Sequence, residues 1–411
     1  MARDDPYAAL RFPEFRYYVS GSFLFTMALL IQEVVVAYEL YRLTHDPLTL
    51  GFIGLAEAVP YIALALFGGH YADNRDKKNI LILSTLVVVA ASVILTIVMH
   101  PSVRPLLPGI RLLLTVYFVI FLIGVARGFF SPAASSLKAF LTPRSVYPNA
   151  SVWSSVAWQG GAIAGPGVAG FLYAYLGLNT TLYIVIGLLL VALTFQSLIG
   201  RKPIPVSEKT DLFRSVREGI QYVFDNKIIL YSISLDLAAV LFGGVVAILP
   251  IFAEDILKVG AEGLGILRAA PAAGALITLA ALAYFPATNH AWRNMLLAVA
   301  GFGIATLVFA LSTNFWLSVV MLFLTGAFDG ISVVIRQTIM QVMPPDHMRG
   351  RVSAVNGIFV STSNEIGAFE SGVAAKAFGT VPSVLLGGSL TMLIVGYVWW
   401  RSKDLFGVKL V

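Results

Sequence analysis

The sequence predicts an all-α membrane protein whose twelve transmembrane helices form two pseudo-symmetric six-helix bundles. Three observations carry this prediction: the composition, the length of the uncharged segments, and an internal repeat. Of 411 residues, 58% are hydrophobic and 12% are charged, whereas soluble domains carry about 25% charged residues. No charged residue lies between Arg144 and Arg201 or between Arg293 and Asp329. Such composition excludes a soluble globule, and runs of this length exclude a membrane β-barrel, whose strands alternate over about 10 residues.

The uncharged segments are long enough to count as individual spans. A transmembrane helix needs about 20 apolar residues. In chain order, the predicted helices lie near 17–41, 49–71, 79–100, 112–137, 149–175, 178–199, 229–257, 263–285, 292–312, 315–343, 350–378 and 381–400. Little chain remains outside them, so no soluble domain is expected.

The longest break between spans, 200–228, predicts a cytoplasmic linker. Within it, apolar residues recur at helical spacing over 211–224 and charged residues lie between them. This pattern indicates an amphipathic helix on the inner leaflet. The linker divides the chain into an N-terminal bundle, 1–199, and a C-terminal bundle, 229–411.

The distribution of Lys and Arg predicts that both termini are cytoplasmic. With the termini inside, inner segments hold twenty of the 28 Lys and Arg, outer segments hold five, and three fall within spans. Positively charged loops are retained on the cytoplasmic side, so we expect a multi-pass protein of a cell inner membrane. The net charge of +6 then reflects topology, and we expect no nucleic-acid partner.

An internal repeat relates the two halves. At an offset of 202 residues, five pairs are identical: Pro143 and Pro345, Ser151 and Ser353, Gly165 and Gly367, Gly170 and Gly372, Gly177 and Gly379. At an offset of 211, the segment 54–60 (GLAEAVP) resembles 265–271 (GILRAAP), which places Arg268 at the position of Glu57. Parallel six-helix repeats are typical of secondary transporters.

The segment between the second and third spans, 69–78, reads GHYADNRDKK. It resembles the G-x-L-A-D-R-x-G-R-K motif of the major facilitator superfamily, from which Asn74 and Asp76 depart. Glycine permits close helix approach, an acid can meet a helix N-terminus, and cations hold the inner surface. The residues matched to these roles are Gly69, Asp73, Arg75, Lys77 and Lys78.

Two further motifs resemble the same superfamily. In the fifth span, 161–170 reads GAIAGPGVAG, similar to a G-x-x-x-G-P-x-x-G-G motif common in exporters and antiporters. Its small residues allow close helix contact and its proline permits a bend; they are Gly161, Gly165, Pro166 and Gly170. Arg127, within GVARG at 124–128, resembles the fourth-span arginine motif.

Longer segments resemble the enterobactin-exporter-like (transmembrane secretion effector) subgroup of that superfamily. These segments are 41–44, 51–57, 235–244, 349–353 and 363–372, and the resemblance covers essentially the whole chain. It implies a secondary active transporter that exports siderophore-like or amphiphilic drug-like molecules by alternating access, driven by proton antiport. We also expect the protein to be a monomer. The expected partners are a small-molecule substrate, protons and the lipid bilayer.

Ten charged residues fall inside the predicted spans: Glu33, Glu39, Glu57, Asp236, Asp329, Glu365, Glu370, Arg127, Arg268 and Arg336. Each unpaired charge at the bilayer centre costs about 2.5–3.5 kcal/mol. Three arginines cannot neutralise seven acids, so we expect some carboxyl groups to bind protons. The candidates for proton coupling are Glu33, Asp236, Asp329 and Glu365.

Spans one, four, seven and ten line the substrate cavity in the superfamily that the chain resembles. The substrate-cavity candidates are Glu33, Glu57, Arg127, Trp158, Asp236, Arg268, Asp329 and Arg336. Other roles are open: Glu39 and Glu370 can snorkel to the interface, Asp236 and Glu365 can bond helix to helix, and Trp158 can serve packing. Arg336 can pair with Asp329 seven residues earlier or contact an anionic substrate.

Two alternative functions remain: an importer of a nutrient or metal chelate, and a non-transport membrane protein such as an enzyme or receptor. An enzyme would show clustered His or acidic residues at one membrane face, and the five His are scattered. The sequence has no Cys and no phosphate-binding Walker loop. We therefore expect no enzymatic activity, no cofactor and no metal site.

Overall fold

The structure, a computed structural model, describes residues 5–73, 75–203, 212–284 and 290–407. Within these residues, all regular secondary structure is helical. The chain divides into two compact units. Unit 1 comprises Met1–Leu43 and Leu55–Glu208, and unit 2 comprises Thr44–Gly54 and Lys209–Val411.

Thirteen α-helices follow one another in the described part of the chain. The first five are α1 (Pro13–Thr44), α2 (Pro47–Asp73), α3 (Lys77–Val98), α4 (Ile110–Lys138) and α5 (Tyr147–Ser197). The other eight are α6 (Leu212–Asp225), α7 (Lys227–Gly243), α8 (Leu249–Ile251), α9 (Gly260–Tyr284), α10 (Ala291–Leu311), α11 (Phe315–Val342), α12 (Asp346–Phe378) and α13 (Thr380–Arg401). Helices suit apolar segments of this length because every interior backbone group is satisfied within the helix.

Short polar side chains mark where several helices begin. Asp76, Asn226 and Asn314 precede α3, α7 and α11, and each accepts a hydrogen bond from a backbone N–H of the first turn. Such caps satisfy donors that have no partner inside the helix. They therefore fix the starting points of three predicted spans.

The predicted all-α fold is confirmed. Among the described residues, ten helical segments are long and apolar enough to cross a membrane. One of them, Asn149–Ser197, contains the predicted fifth and sixth spans, which meet at Gly177 with φ 76°. The 33-residue α12 is more polar and is not among the ten. Counting Asn149–Ser197 twice and adding α12 yields the twelve segments that the sequence predicts.

The span predicted over 229–257 is observed within Lys227–Ile256, but it is not one continuous α-helix. α7 ends at Gly243, and Gly244 is extended, with φ −75° and ψ 110°. A 3-10 turn at Val246–Ile248, the short α8 and a π-helical turn at Phe252–Ile256 follow. Two adjacent glycines weaken the helix at this point. The Gly244 carbonyl, freed by the break, accepts a hydrogen bond from Ser371 Oγ at 3.0 Å.

Each unit has its own apolar core. In unit 1, Phe15, Leu81 and Leu137 are almost fully buried in one cluster. In unit 2, Trp292 is fully buried in a second cluster, and its Nε1 donates to Ser402 Oγ at 2.8 Å. Each core is thus built from residues of its own unit.

The internal repeat is visible in the backbone. Gly177 and Gly379, which are 202 residues apart, have φ values of 76° and 89°, a region that favours glycine. A Cβ on Gly165 would lie 3.0 Å from Met27 O of α1, and one on Gly367 would lie 3.1 Å from Val240 O of α7. In each unit, the helix that carries the matched glycine therefore packs closely on the equivalent first helix.

The predicted amphipathic helix in the linker is observed as α6. It packs on α12 of the same unit, where Glu218 forms an ion pair with Arg351. Gly219 permits this approach, since a Cβ there would lie 3.0 Å from Arg351 O, and Val223 is buried in the unit 2 core. Residues 204–211 of the predicted linker lie outside the described residues, and the inner-leaflet location stays a prediction.

Candidate functional site

A buried ion pair joins α7 to α11. Asp236 Oδ2 and Arg336 Nη1 are in direct contact, and the two side chains are only 5% and 3% exposed. The expectation that Arg336 pairs with Asp329 on its own helix is therefore corrected. Seven residues correspond to about 10.5 Å along a helix axis, which places the two groups on one face but out of reach.

A second ion pair joins α2 to α4 in unit 1. Arg127 Nη1 contacts Glu57 Oε1, and the Arg127 guanidinium lies 5.5 Å from the centre of the Tyr61 ring. The side chains of Arg127 and Glu57 are 35% and 14% exposed. The helices approach closely because Gly124 and Gly128 face α2, where any Cβ would press on the neighbouring backbone or side chains. Both predicted cavity candidates on these helices therefore belong to one charged site.

Asp329 lies on α11 and is partly buried. Within the described residues, its carboxyl group forms no hydrogen bond or ion pair. Arg268, on α9, is 8% exposed, and its Nη2 donates to Val246 O at 3.3 Å, next to the break that follows α7. Binding sites of transporters typically contain discontinuous helices whose backbone carbonyl groups are free to accept bonds from outside the helix.

The remaining candidates are dispersed. Glu33 is partly buried on α1, and Trp158 is 59% exposed on α5. Glu365 belongs to α12, but its side chain lies outside the described residues. Because the chain forms two units, these positions do not by themselves define a shared cavity, and their cavity role stays a prediction.

Glu39 is held in a polar network near the C-terminal end of α1, and its expected reach to the membrane interface stays a prediction. Its carboxylate accepts hydrogen bonds from Arg104 Nη1 at 2.9 Å and from Tyr173 Oη. Arg42 Nη1 lies 2.9 Å from the same Tyr173 oxygen. The sequence carried no sign of the contacts with Arg104 and Tyr173, because these residues are 65 and 134 residues from Glu39.

The motif between α2 and α3 is described only in part. The side chains of Gly69 and Asp73 lie outside the described residues. Asp76, a departure from the motif, caps α3 by accepting from Lys78 N at 3.0 Å, and Lys78 Nζ donates to Ser197 O at 2.7 Å.

The cations of this motif have separate environments. Arg75 is exposed, with its guanidinium 5.8 Å from the centre of the Tyr71 ring. Lys77 is 4% exposed, and its ammonium lies 5.4 Å from the centre of the Phe140 ring. The expectation that Lys77 helps to hold the inner surface stays a prediction.

The motif in α5 forms a helix contact, as its small residues predict. A Cβ on Gly161 would lie 3.1 Å from Thr26 Cβ, on α1. Gly165 faces the next turn of α1, Gly170 is buried, and Pro166 lies inside the helix. Among the described residues, no group of three or more His, Asp or Glu side chains is arranged to hold a metal ion.

Comparison with known proteins agrees with this architecture. The sequence model of the family described as the Major Facilitator Superfamily matches residues 18–368 of this chain. Macrolide efflux protein A of Streptococcus pyogenes is 24% identical over 384 residues, covering 90% of this chain and 91% of that protein. Multidrug efflux pump Tap of Mycolicibacterium fortuitum is 25% identical, covering 89% and 90%. Enterobactin exporter EntS of Salmonella typhi is 23% identical, covering 93% and 91%.

Solved structures share the fold. The D-xylose–proton symporter superposes with a TM-score of 0.74 at 15% identity, covering 97% of this chain and 99% of that one. A bacterial homologue of the lysosomal transporter Spinster gives 0.70 at 16% identity, covering 96% of each chain. The protein is a multi-pass membrane transporter of small molecules and not an enzyme. It belongs to the major facilitator superfamily, and its relatives include efflux proteins.

Proposed function

We propose that the protein is a proton-driven exporter of amphiphilic or siderophore-like small molecules. It works by alternating access as a monomer in a bacterial inner membrane, with both termini in the cytoplasm. Support for export comes from relatives named as macrolide, multidrug and enterobactin efflux proteins, which align with about nine tenths of the chain.

The observation that carries proton coupling is the state of Asp329. Asp236 and Glu57 each contact an arginine, whereas Asp329 has no charged or hydrogen-bonding partner among the described residues. A carboxyl group in a membrane span avoids the cost of an isolated charge by binding a proton, by pairing or by facing water. A group that exchanges a proton between two conformations couples transport to the pH gradient.

The test uses inverted membrane vesicles with an acidic interior, which imitates the gradient across the inner membrane. The probes are ethidium, erythromycin and radiolabelled enterobactin. We expect at least one probe to accumulate and the accumulation to collapse when nigericin removes the gradient. Accumulation that is unchanged by nigericin would contradict proton coupling. Uptake confined to right-side-out vesicles with acid outside would instead identify an importer.

Asp329→Asn separates coupling from binding. The amide resembles a permanently protonated carboxyl group, so we expect gradient-driven accumulation to fall at least tenfold while exchange of labelled for unlabelled probe continues. Asp404→Asn is the matched control, because Asp404 lies outside the spans in the turn at Lys403–Leu405. Equal losses in the two variants would remove Asp329 from the coupling mechanism.

A further inference from the structure

The helix pair α2/α4 has a tightly packed interface in unit 1. Gly124 of α4 lies against Pro60 of α2, since a Cβ on the glycine would be 2.7 Å from Pro60 Cγ. One turn further along, a Cβ on Gly128 would be 3.0 Å from Leu64 Cβ. These two contacts, four residues apart on both helices, fix how α2 and α4 are aligned.

The pair α9/α11 repeats this alignment in unit 2. Gly326 lies against Pro271, and a Cβ on Gly330 would lie 3.4 Å from Ala275 Cα. The two glycines match those of α4 at the offset of 202 residues, and their partners match those of α2 at the offset of 211. The two helix pairs are therefore equivalent interfaces with the same register.

The charges at the two interfaces are exchanged. Glu57 of α2 corresponds to Arg268 of α9, and Arg127 of α4 corresponds to Asp329 of α11. In unit 1 the acid and the base are in contact. Because the register is the same in unit 2, the backbone places Arg268 and Asp329 as it places the two residues of that pair. An aspartate is one methylene group shorter than a glutamate, so the second pair has slightly less reach.

In unit 2 the acid and the base are apart. Arg268 Nη2 donates to Val246 O at 3.3 Å, and Asp329 has no hydrogen bond or ion pair with any described residue. The first helix of each unit differs at this point, since α1 runs from Pro13 to Thr44 whereas α7 ends at Gly243. Carbonyl groups inside a continuous α-helix point along its axis to N–H groups of the same helix. The break after α7 therefore brings a backbone acceptor to Arg268 that α1 does not bring to Glu57.

We propose that Arg268 alternates between Val246 O and the ionised carboxyl group of Asp329, and so links proton release to the segment after the break, residues 246–256. With Asp329 protonated, Arg268 stays on Val246 O and holds this segment against α9. When the O–H bond of the carboxyl group breaks, the proton passes to water, the carboxylate accepts hydrogen bonds from the guanidinium, and the segment is released. Arg268 is a positioning residue, and the assignment rests on the proposed proton coupling.

The direction of this switch follows from charge. Arg268 is 8% exposed, and a guanidinium keeps its positive charge in proteins. A carboxylate attracts it more strongly than an uncharged carbonyl group does, because attraction between opposite charges is strong away from water. Ionised Asp329 therefore draws the guanidinium from Val246 O, and protonation of Asp329 returns it. The torsions of one side chain change, while α9 and α11 keep their alignment.

Other charged groups near these helices do not replace either partner. Asp236 of α7 is held by Arg336 of α11. On α12, Glu370 is an acid, and the side chain of Glu365 lies outside the described residues. The other charges of α7, α9, α10 and α12 lie within the first or last two turns of these helices. The π-helical turn after α8 adds two acids, Glu254 and Asp255.

Spin labels can report the position of the segment after the break, because the native chain contains no Cys. Val246→Cys, on the segment, is combined with Leu311→Cys at the end of α10, and both side chains are exposed. Ile277→Cys with Leu311→Cys is the control pair, because Ile277 is an exposed residue of α9. The distance between the labels is measured by double electron–electron resonance on the whole protein in lipid nanodiscs.

We expect the 246/311 pair to show one distance at low pH and a second distance at high pH. The share of the second distance should rise roughly tenfold between about pH 5 and about pH 9, while the 277/311 distance stays constant. In Asp329→Asn, which cannot ionise, the low-pH distance should remain at every pH. In Arg268→Met the distance should not depend on pH. A 246/311 distance that ignores pH, or a pH response that survives in either variant, would overturn the proposal.

Ser371→Ala separates the switch from a merely structural contact. Ser371 Oγ donates to Gly244 O at 3.0 Å, two residues before Val246, and its hydroxyl carries no charge. We expect Ser371→Ala to loosen the segment and to leave its response to pH intact. If Ser371→Ala removes the pH response as completely as Arg268→Met does, Arg268 has a structural role and the switch is overturned.

A charge exchange provides the second measurement. Arg268→Glu combined with Asp329→Arg copies the arrangement of Glu57 and Arg127 in unit 1, so the 246/311 pair should show the second distance at every pH. Each single variant brings like charges together, and the double variant should melt at a higher temperature than either. A double variant no more stable than the less stable single variant contradicts the pairing.

These measurements need neither substrate nor gradient. If the labels do not respond to pH in a chain whose transport nigericin abolishes, this inference alone is overturned. A segment that responds to pH in a chain without gradient-driven transport supports the switch and overturns the proposed function.

Discussion

The two halves of the molecule keep the same packing but place their charges differently. In unit 1, Glu57 and Arg127 join α2 to α4 at a site that is partly open, whereas in unit 2, Asp236 and Arg336 join α7 to α11 in a fully buried site. The glycines that bring the helices together are retained at matching positions. Duplication therefore preserved the helix interfaces, which depend on shape, and left the charges free to diverge.

The buried pair should give the largest effect. Asp236→Asn leaves Arg336 buried, unpaired and unable to lose its proton, so we expect a loss of about 3–5 kcal/mol in stability. Arg336→Met should cost less, because Asp236 can become neutral by binding a proton. The measurement is the melting temperature of the purified protein in detergent. The double variant that combines Asp236→Asn with Arg336→Met should recover most of the lost stability. If its melting temperature is as low as that of Asp236→Asn alone, the pairing is contradicted.

The glycine contacts should give an intermediate effect in both halves. A Cβ on Gly326 would overlap the backbone of Pro271, and one on Gly124 would overlap Glu57 O. We expect each Gly→Ala change to cost about 1–3 kcal/mol, with Gly326→Ala the larger. Gly187→Ala is the control, since nothing lies within 4 Å of its Cβ position, and alanine favours helix. If Gly187→Ala lowers the melting temperature as much as Gly124→Ala and Gly326→Ala do, the close helix approach does not cause the loss of stability.

The half-open pair in unit 1 should have a smaller effect. Arg127 is 35% exposed, so the pair is less completely desolvated than Asp236 and Arg336, and Glu57→Gln should cost less than Asp236→Asn. The same melting experiment compares it with Asp236→Asn. A loss equal to that of Asp236→Asn would show that the Glu57–Arg127 site is as dry as the buried pair.

The smallest effect is expected at the surface. Hydrogen bonding to Lys227, together with its charge, holds the pKa of Asp404 below its usual value of 3.8. The stabilisation is thus present above that value and is lost as the pH falls through the lower pKa of the folded state. Asp404→Asn should lower the melting temperature slightly at pH 7, and the difference should shrink as the pH falls below 3.8. A difference that persists at low pH would exclude the carboxylate as its source.

Helix number, the repeat and the small-residue contacts could be predicted because they depend on local sequence. Apolar length predicts the spans, and the spacing of Gly161 and Gly165 predicts a close helix contact. The Gly243–Gly244 pair indicates a break in the helix at this point. The segment was nevertheless predicted as one helix, because its hydropathy is high on both sides of the two glycines.

The charge partners could not be predicted. Arg336 was matched with Asp329 because both lie on one helix face, while its observed partner, Asp236, lies 100 residues away on α7. Pairing across helices depends on register and rotation, which hydropathy does not encode. The Glu39 network was missed for the same reason.

The single glycines at 177 and 379 have a mechanical consequence. Each joins two long helices with no loop between them, and its positive φ leaves other residues strained at that point. Two helices that are joined through one residue stay close together at that residue. The glycine does not hold their other ends, so we expect the two helices of each pair to separate most at the ends furthest from the glycine.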